Sequence, residues 1–206
     1  DYVIQSMPDV SPPKWHLAHI SWFFEAFLLK PYLPGYKPLN AAYAHLFNSY
    51  YETHSTPFPR VQRGLISRPG VEDVYRFRQH VDRAMGELLT HPPQQHAAEI
   101  MHRVELGLQH EQQHQELLLM DIKHILAQNP LHPVYRSDLK PAPARHNDRV
   151  RWHSYAGGVR HIGHAGSGFA FDCETPRHRQ FVEDFQLADR LVSNREYLSF
   201  IADGGY

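Results

Sequence analysis

Between Leu106 and His124 the chain reads LGLQHEQQHQELLLMDIKH, and the eight residues from Gln109 to Glu116 include no apolar side chain. Leucines crowd both flanks of this band, so the segment reads as a helix whose two ends are buried while its centre is wholly polar. A polar turn held between buried turns needs internal partners. His110 and His114 are four residues apart, which on a helix puts them about 40° apart around the axis and about 6 Å apart along it, within reach of one ion. Imidazole is the commonest neutral metal ligand. Two histidines hold a catalytic ion poorly, so a third ligand is expected.

His19 is the leading candidate for that third ligand. It lies in SPPKWHLAHISWFFEAFLLK, residues 11–30, where Trp15, His19, Phe23 and Phe27 recur at i, i+4 on one face. His16 is a weaker rival. HEQQH also matches H-E-x-x-H, in which Glu111 would be the general base of a zinc protease. The very polar flank and the lack of a clear downstream ligand argue against that reading.

The rest of the chain is read as helical, then mixed. Ser11 suits an N-cap, Pro12 a first helical position, and Pro31 a stop. A shorter helix is expected over 40–51, a loop over 53–70, a helix over 71–90 ended by Pro92-Pro93, and a long helix within 94–129. Three or four helices with one long member suggest a helical bundle, residues 1–130. Residues 131–150 are proline-rich and read as a linker. From residue 151 short apolar pieces broken by glycine read as strands, with 179–189 as a further strand. Ser193 and Glu196 form a capping box before a short helix.

With 206 residues, 42% of them apolar, the chain can build a core. A net charge of −1 and the absence of a basic run speak against nucleic-acid binding. No apolar stretch approaches a membrane span. The lone cysteine, Cys173, fits a reducing cytoplasm.

The segments SPPKWHLAHISWFFEAFLL, LGLQHEQQHQELLLMDIKH, NPLHPVYR and FAFDCETPRHRQFVEDFQLADRLVSNREYLSFIADGGY together resemble the ergothioneine-biosynthesis sulfoxide synthases, in order and over nearly the whole chain. The resemblance implies a DinB-like four-helix bundle followed by a formylglycine-generating-enzyme-like, C-type-lectin-like α+β segment, residues 151–206. It implies Fe(II) on His19, His110 and His114. It also implies O2-dependent C–S bond formation between cysteine or γ-glutamylcysteine and the imidazole of hercynine. Gln113, Arg60 and Arg63 map to substrate contacts, and Glu111 and Glu116 are candidates for orienting the ligands. Members of that family run on well past this segment, so the chain is expected to be a fragment. The catalytic tyrosine and much of the hercynine pocket are expected beyond it. Homologues that use a selenium donor or act on histidine, and DinB-like metal-dependent thiol transferases, are the alternatives.

Overall fold

The computed structural model describes residues 1–53, 55–140 and 149–205. It is mainly helical and divides into two compact units, Asp1–Leu139 and Lys140–Tyr206. Residues 141–148, eight of the last ten residues of the expected linker, lie outside the described residues.

In the first unit, helix α1 (Pro13–Phe24) continues through a π-helical turn (Glu25–Leu29) into α2 (Lys30–Tyr32). A face-specific stripe was expected here, but eleven of the twelve α1 residues are buried, all except Leu17. A helix buried on every side is a central helix. It packs against both long helices, α4 (Val71–Thr90) and α5 (Ala97–Ala127). Ser11 does not cap it through its side chain; the N-cap residue is Pro12. Ser11 instead donates its N–H to Asp121 Oδ2 at 2.9 Å, tying the start of α1 to α5. Pro31 lies inside α2 rather than before it. Proline has no N–H to offer the carbonyl four residues back. That carbonyl, on Phe27, accepts from Arg103 Nη1 at 3.1 Å instead.

The helix expected over 40–51 shrinks to a single turn, α3 (Tyr43–Leu46). Asn48 ends it: its side chain donates to the Tyr51 and Ser55 carbonyls at 2.9 and 2.8 Å and accepts from the Tyr51 N–H. Such local side-chain bonds compete with helix formation. The α4 bounds match the sequence expectation, and its buried face, Val74, Phe77, Val81, Ala84, Met85 and Leu88, follows the helical repeat. Helix α5 meets α1 at Gly107, where a Cβ would fall 2.8 Å from the Phe24 ring and 3.1 Å from Phe23. Any larger residue would have to displace these rings.

The second unit contains two antiparallel pairs. β1 (Trp152–Tyr155) pairs with β4 (Phe185–Ala188), and β2 (Gly158–Ile162) with β3 (His178–Val182). The single strand expected over 179–189 is therefore two, broken at Glu183–Asp184. The capping box is present: Ser193 N–H donates to Glu196 Oε2 at 2.8 Å, and α6 (Asn194–Ala202) follows. No helix among the described residues is long and apolar enough to cross a membrane.

Candidate metal centre

Helices α1 and α5 bring His19, His110 and His114 together. One ring nitrogen from each lies within 4.8 Å of the others, and no other set of three His, Cys, Asp or Glu side chains converges in this way among the described residues. The ring centroids are 5.0 Å apart for His19–His110, 4.7 Å for His19–His114 and 4.6 Å for His110–His114. His19 and His110 are buried and His114 is half-buried.

The proton positions follow from the partners. His19 Nδ1–H donates to the Phe47 carbonyl at 2.6 Å, which leaves His19 Nε2 bare. That atom faces His110 Nε2 at 3.2 Å. Two nitrogens bound cis to one ion, each about 2.1 Å from it, lie about 3.0–3.4 Å apart, so this spacing fits a shared cation. His110 Nδ1 is buried and has no hydrogen-bond partner among the described residues.

Two indoles enclose His19. Trp15 stacks on it at 4.4 Å and Trp22 at 5.3 Å, both nearly parallel. Arg63 places its guanidinium carbon 3.4 Å from the Trp15 ring centroid. Arg63 and His19 are both too close to share one face of the indole, so they sandwich it. The resulting column is Arg63, Trp15, His19, Trp22, with a cation–π contact at its outer end.

This setting keeps the imidazoles neutral. Burial, with the neighbouring His114 and His110, pushes His19 well below the ordinary histidine range. Burial lowers His110 to about 4. Burial, then His110, His16 and Arg63, lower His114 to about 3 despite the opposing pull of Asp121. Neutral imidazole is the form that binds metal. The unfolded chain therefore takes up protons at these positions before the folded one does. The stability of the metal-free protein is full above about pH 6.5 and declines as pH falls from there through 4 towards 3. While a given histidine is protonated in the unfolded chain and neutral in the folded one, each further drop of one in pH removes about 1.4 kcal/mol. Thermal melting of metal-free protein between pH 7 and pH 4 should show this fall; a flat profile would contradict the buried, neutral trio.

The other residues singled out from the sequence are distributed differently. Arg63 is only 3% exposed, and its Nη1 and Nη2 donate to Ser11 Oγ at 2.9 Å and Ser49 Oγ at 3.0 Å. Burial, then Arg60, lower its pKa to about 9. The two terminal nitrogens of its fork are engaged within the protein, and Nε is buried with no partner among the described residues. Arg60 is exposed and donates to the Asp9 carbonyl at 2.8 Å. Gln113 and Glu116 are exposed on α5. Glu111 pairs with Arg78 of α4 at 3.3 Å rather than orienting a trio histidine. The flank LLLM was expected to be buried, but Leu119 and Met120 are 47% and 59% exposed.

The partners of the trio come from elsewhere. His16 Nδ1 is 2.9 Å from His114 Nδ1, and His16 Nε2 is 2.9 Å from Asp121 Oδ2. The sequence offered a signal for Asp121: it follows His114 by seven residues, two turns along the same face of α5. A groove of about 410 Å³ opens beside His16 and His114, walled by Leu17, Ile20, Leu118 and Leu119.

No protein-family model matches the chain, and no curated protein matches it. What the geometry defines is a class of site: a buried, all-imidazole cluster from two helices that could hold a metal ion.

Proposed function

We propose that this trio holds Fe(II) and that the chain carries the metal site of a sulfoxide synthase of the ergothioneine type. The joined substrates would be cysteine or γ-glutamylcysteine and hercynine, with O2 as oxidant. The observation that supports this reading best is the convergence of three neutral imidazoles with no carboxylate among them. Such a ligand set leaves the charge of a ferrous ion to be balanced by a substrate, and a thiolate is a soft anion suited to that task. When bound, Fe(II) would supply the redox chemistry and open positions for thiolate and O2.

The chain's own residues then hold and exclude. His19, His110 and His114 would bind the ion on one side. Trp15 and Trp22 flank His19 and keep water from it. The buried positive charge of Arg63 disfavours protonation of the ligands and favours an anionic substrate nearby. Arg60 and Gln113, both exposed, are the residues left to contact a substrate directly. On this reading the first unit is a DinB-like bundle with α1, α4 and α5 among its helices, and the second belongs to a formylglycine-generating-enzyme-like domain. The protein would work in a reducing cytoplasm, where ferrous ion and thiol both persist.

The test is anaerobic loading of the chain with Fe(II), followed by each thiol and then by hercynine and O2. The expected result is a change in the optical or Mössbauer spectrum on adding thiol, and a sulfoxide product detected by mass spectrometry. Thiol transfer supported by zinc or nickel without O2 would replace this reading with a thiol transferase. Preference for histidine, or for a selenium donor, would move it to an ovothiol- or selenoneine-type enzyme.

A further inference from the structure

We propose that His16 and Asp121 are positioning residues that set the tautomer and basicity of His114, so that its Nε2 is the atom turned to the cation. The proposal rests on the metal reading of the trio but not on the reaction assigned to it.

Three contacts place the protons. Asp121 Oδ2 accepts from the Ser11 N–H at 2.9 Å, which anchors the carboxylate. The same oxygen is 2.9 Å from His16 Nε2. A carboxylate only accepts, so the proton between them sits on His16 Nε2. With His16 as the neutral imidazole, its Nδ1 is the acceptor in the 2.9 Å contact with His114 Nδ1, and the proton there belongs to His114. His114 is left with a bare Nε2. His19 reaches the same tautomer by a different route, through the Phe47 carbonyl. Two ligands from two helices are thus held in the form that presents Nε2.

The location explains why a second histidine is used. Asp121 lies two turns beyond His114, about 10 Å along the axis, too far to touch it. His16, from α1, spans the gap. Both His16 and Asp121 are almost fully buried, so the chain of hydrogen bonds is not diluted by water. Outer carboxylates linked to metal-bound histidines raise ligand basicity and hold the ring, and their loss commonly costs about 10–100-fold in metal affinity.

The contrasting role is a clamp that merely fastens α1 to α5. Asp121→Asn separates the two, because an amide oxygen can still accept from both Ser11 and His16 while the charge is gone. His16→Phe keeps a ring and cuts the chain. Glu105→Gln, an exposed change on the same helix, serves as control. Each 206-residue variant is titrated anaerobically with Co(II), read by its visible absorption, and melted without metal. Imidazole 15N shifts are recorded on the metal-free protein.

D121N and H16F should weaken Co(II) binding roughly 10–100-fold and shift the cobalt bands, with E105Q unchanged. His114 should be protonated at Nδ1 in the parent and lose that preference in H16F. Co(II) affinity and bands equal to the parent in D121N, even with a lowered melting temperature, would overturn the proposal and leave the clamp. A parent His114 protonated at Nε2 would also overturn it. If the parent takes up no Co(II) or Fe(II), the metal reading itself fails, a result distinct from parent and variants binding alike.

Discussion

Replacing His114 with alanine is expected to abolish stoichiometric binding of Fe(II) or Co(II), with a loss of affinity of at least about 100-fold. No fourth His, Cys, Asp or Glu joins the converging group among the described residues. His16 faces His114 Nδ1, not the space shared by the three rings, and Asp121 is engaged by His16 and Ser11. The remaining pair, His19 and His110, would leave an ion with only two protein ligands, too few for a tight site. The fold should survive, because His114 is half-buried and the core cluster does not include it. Removing a partly desolvated imidazole also removes an acid-sensitive group, so the metal-free variant should keep more of its stability at about pH 4–5 than the parent. Metal analysis after anaerobic dialysis, combined with melting curves, checks both. Unchanged metal content would mean that the trio is not a metal site.

The largest effect on stability is expected from Phe77→Ala on α4, about 3–5 kcal/mol. Phe77 is fully buried at the centre of the core cluster. Its ring meets Tyr43 at 5.0 Å and Phe47 at 6.3 Å. Truncation therefore leaves a cavity beneath the segment that carries the Phe47 carbonyl. The folded fraction should still bind metal, since among the described residues the ring contacts of Phe77 run to Tyr43 and Phe47 and not to the three histidines. Denaturant unfolding with and without Co(II) measures both quantities. A loss under about 1 kcal/mol would show that α4 is peripheral to the core and not its second wall.

These two expectations separate the site from its scaffold, and the sequence reveals them unequally. The trio is legible because i, i+4 spacing places His110 and His114 together whatever the fold does, and because an aromatic environment makes a solitary His19 costly. The α4 face is legible because six buried residues repeat at helical spacing. The LLLM flank misleads for a geometric reason. Four consecutive residues go right round a helix, so Leu117 and Leu118 follow the seam of His114 and Asp121 and are partly buried, while Leu119 and Met120 turn outward. His16 ranks low from sequence because its part depends on which nitrogen carries a proton, and residue type alone does not disclose that. The break at Glu183–Asp184 is invisible because alternation has the same period on both sides of it. The fate of residues 40–51 turns on Asn48, whose side chain outcompetes the backbone for the Tyr51 and Ser55 carbonyls.

The contact at Gly107 has an effect that reaches past packing. His110 stands one turn beyond it on α5, and His19 lies on the opposite side of the same interhelical gap. A hydrogen in place of a side chain there lets α5 approach the Phe23 and Phe24 rings closely, in the same stretch where His19 and His110 nitrogens come within 3.2 Å. A side chain there would force the Phe24 ring or the helix to move. A residue with no chemistry of its own thereby sets how closely the two ligand-bearing helices pack beside the trio.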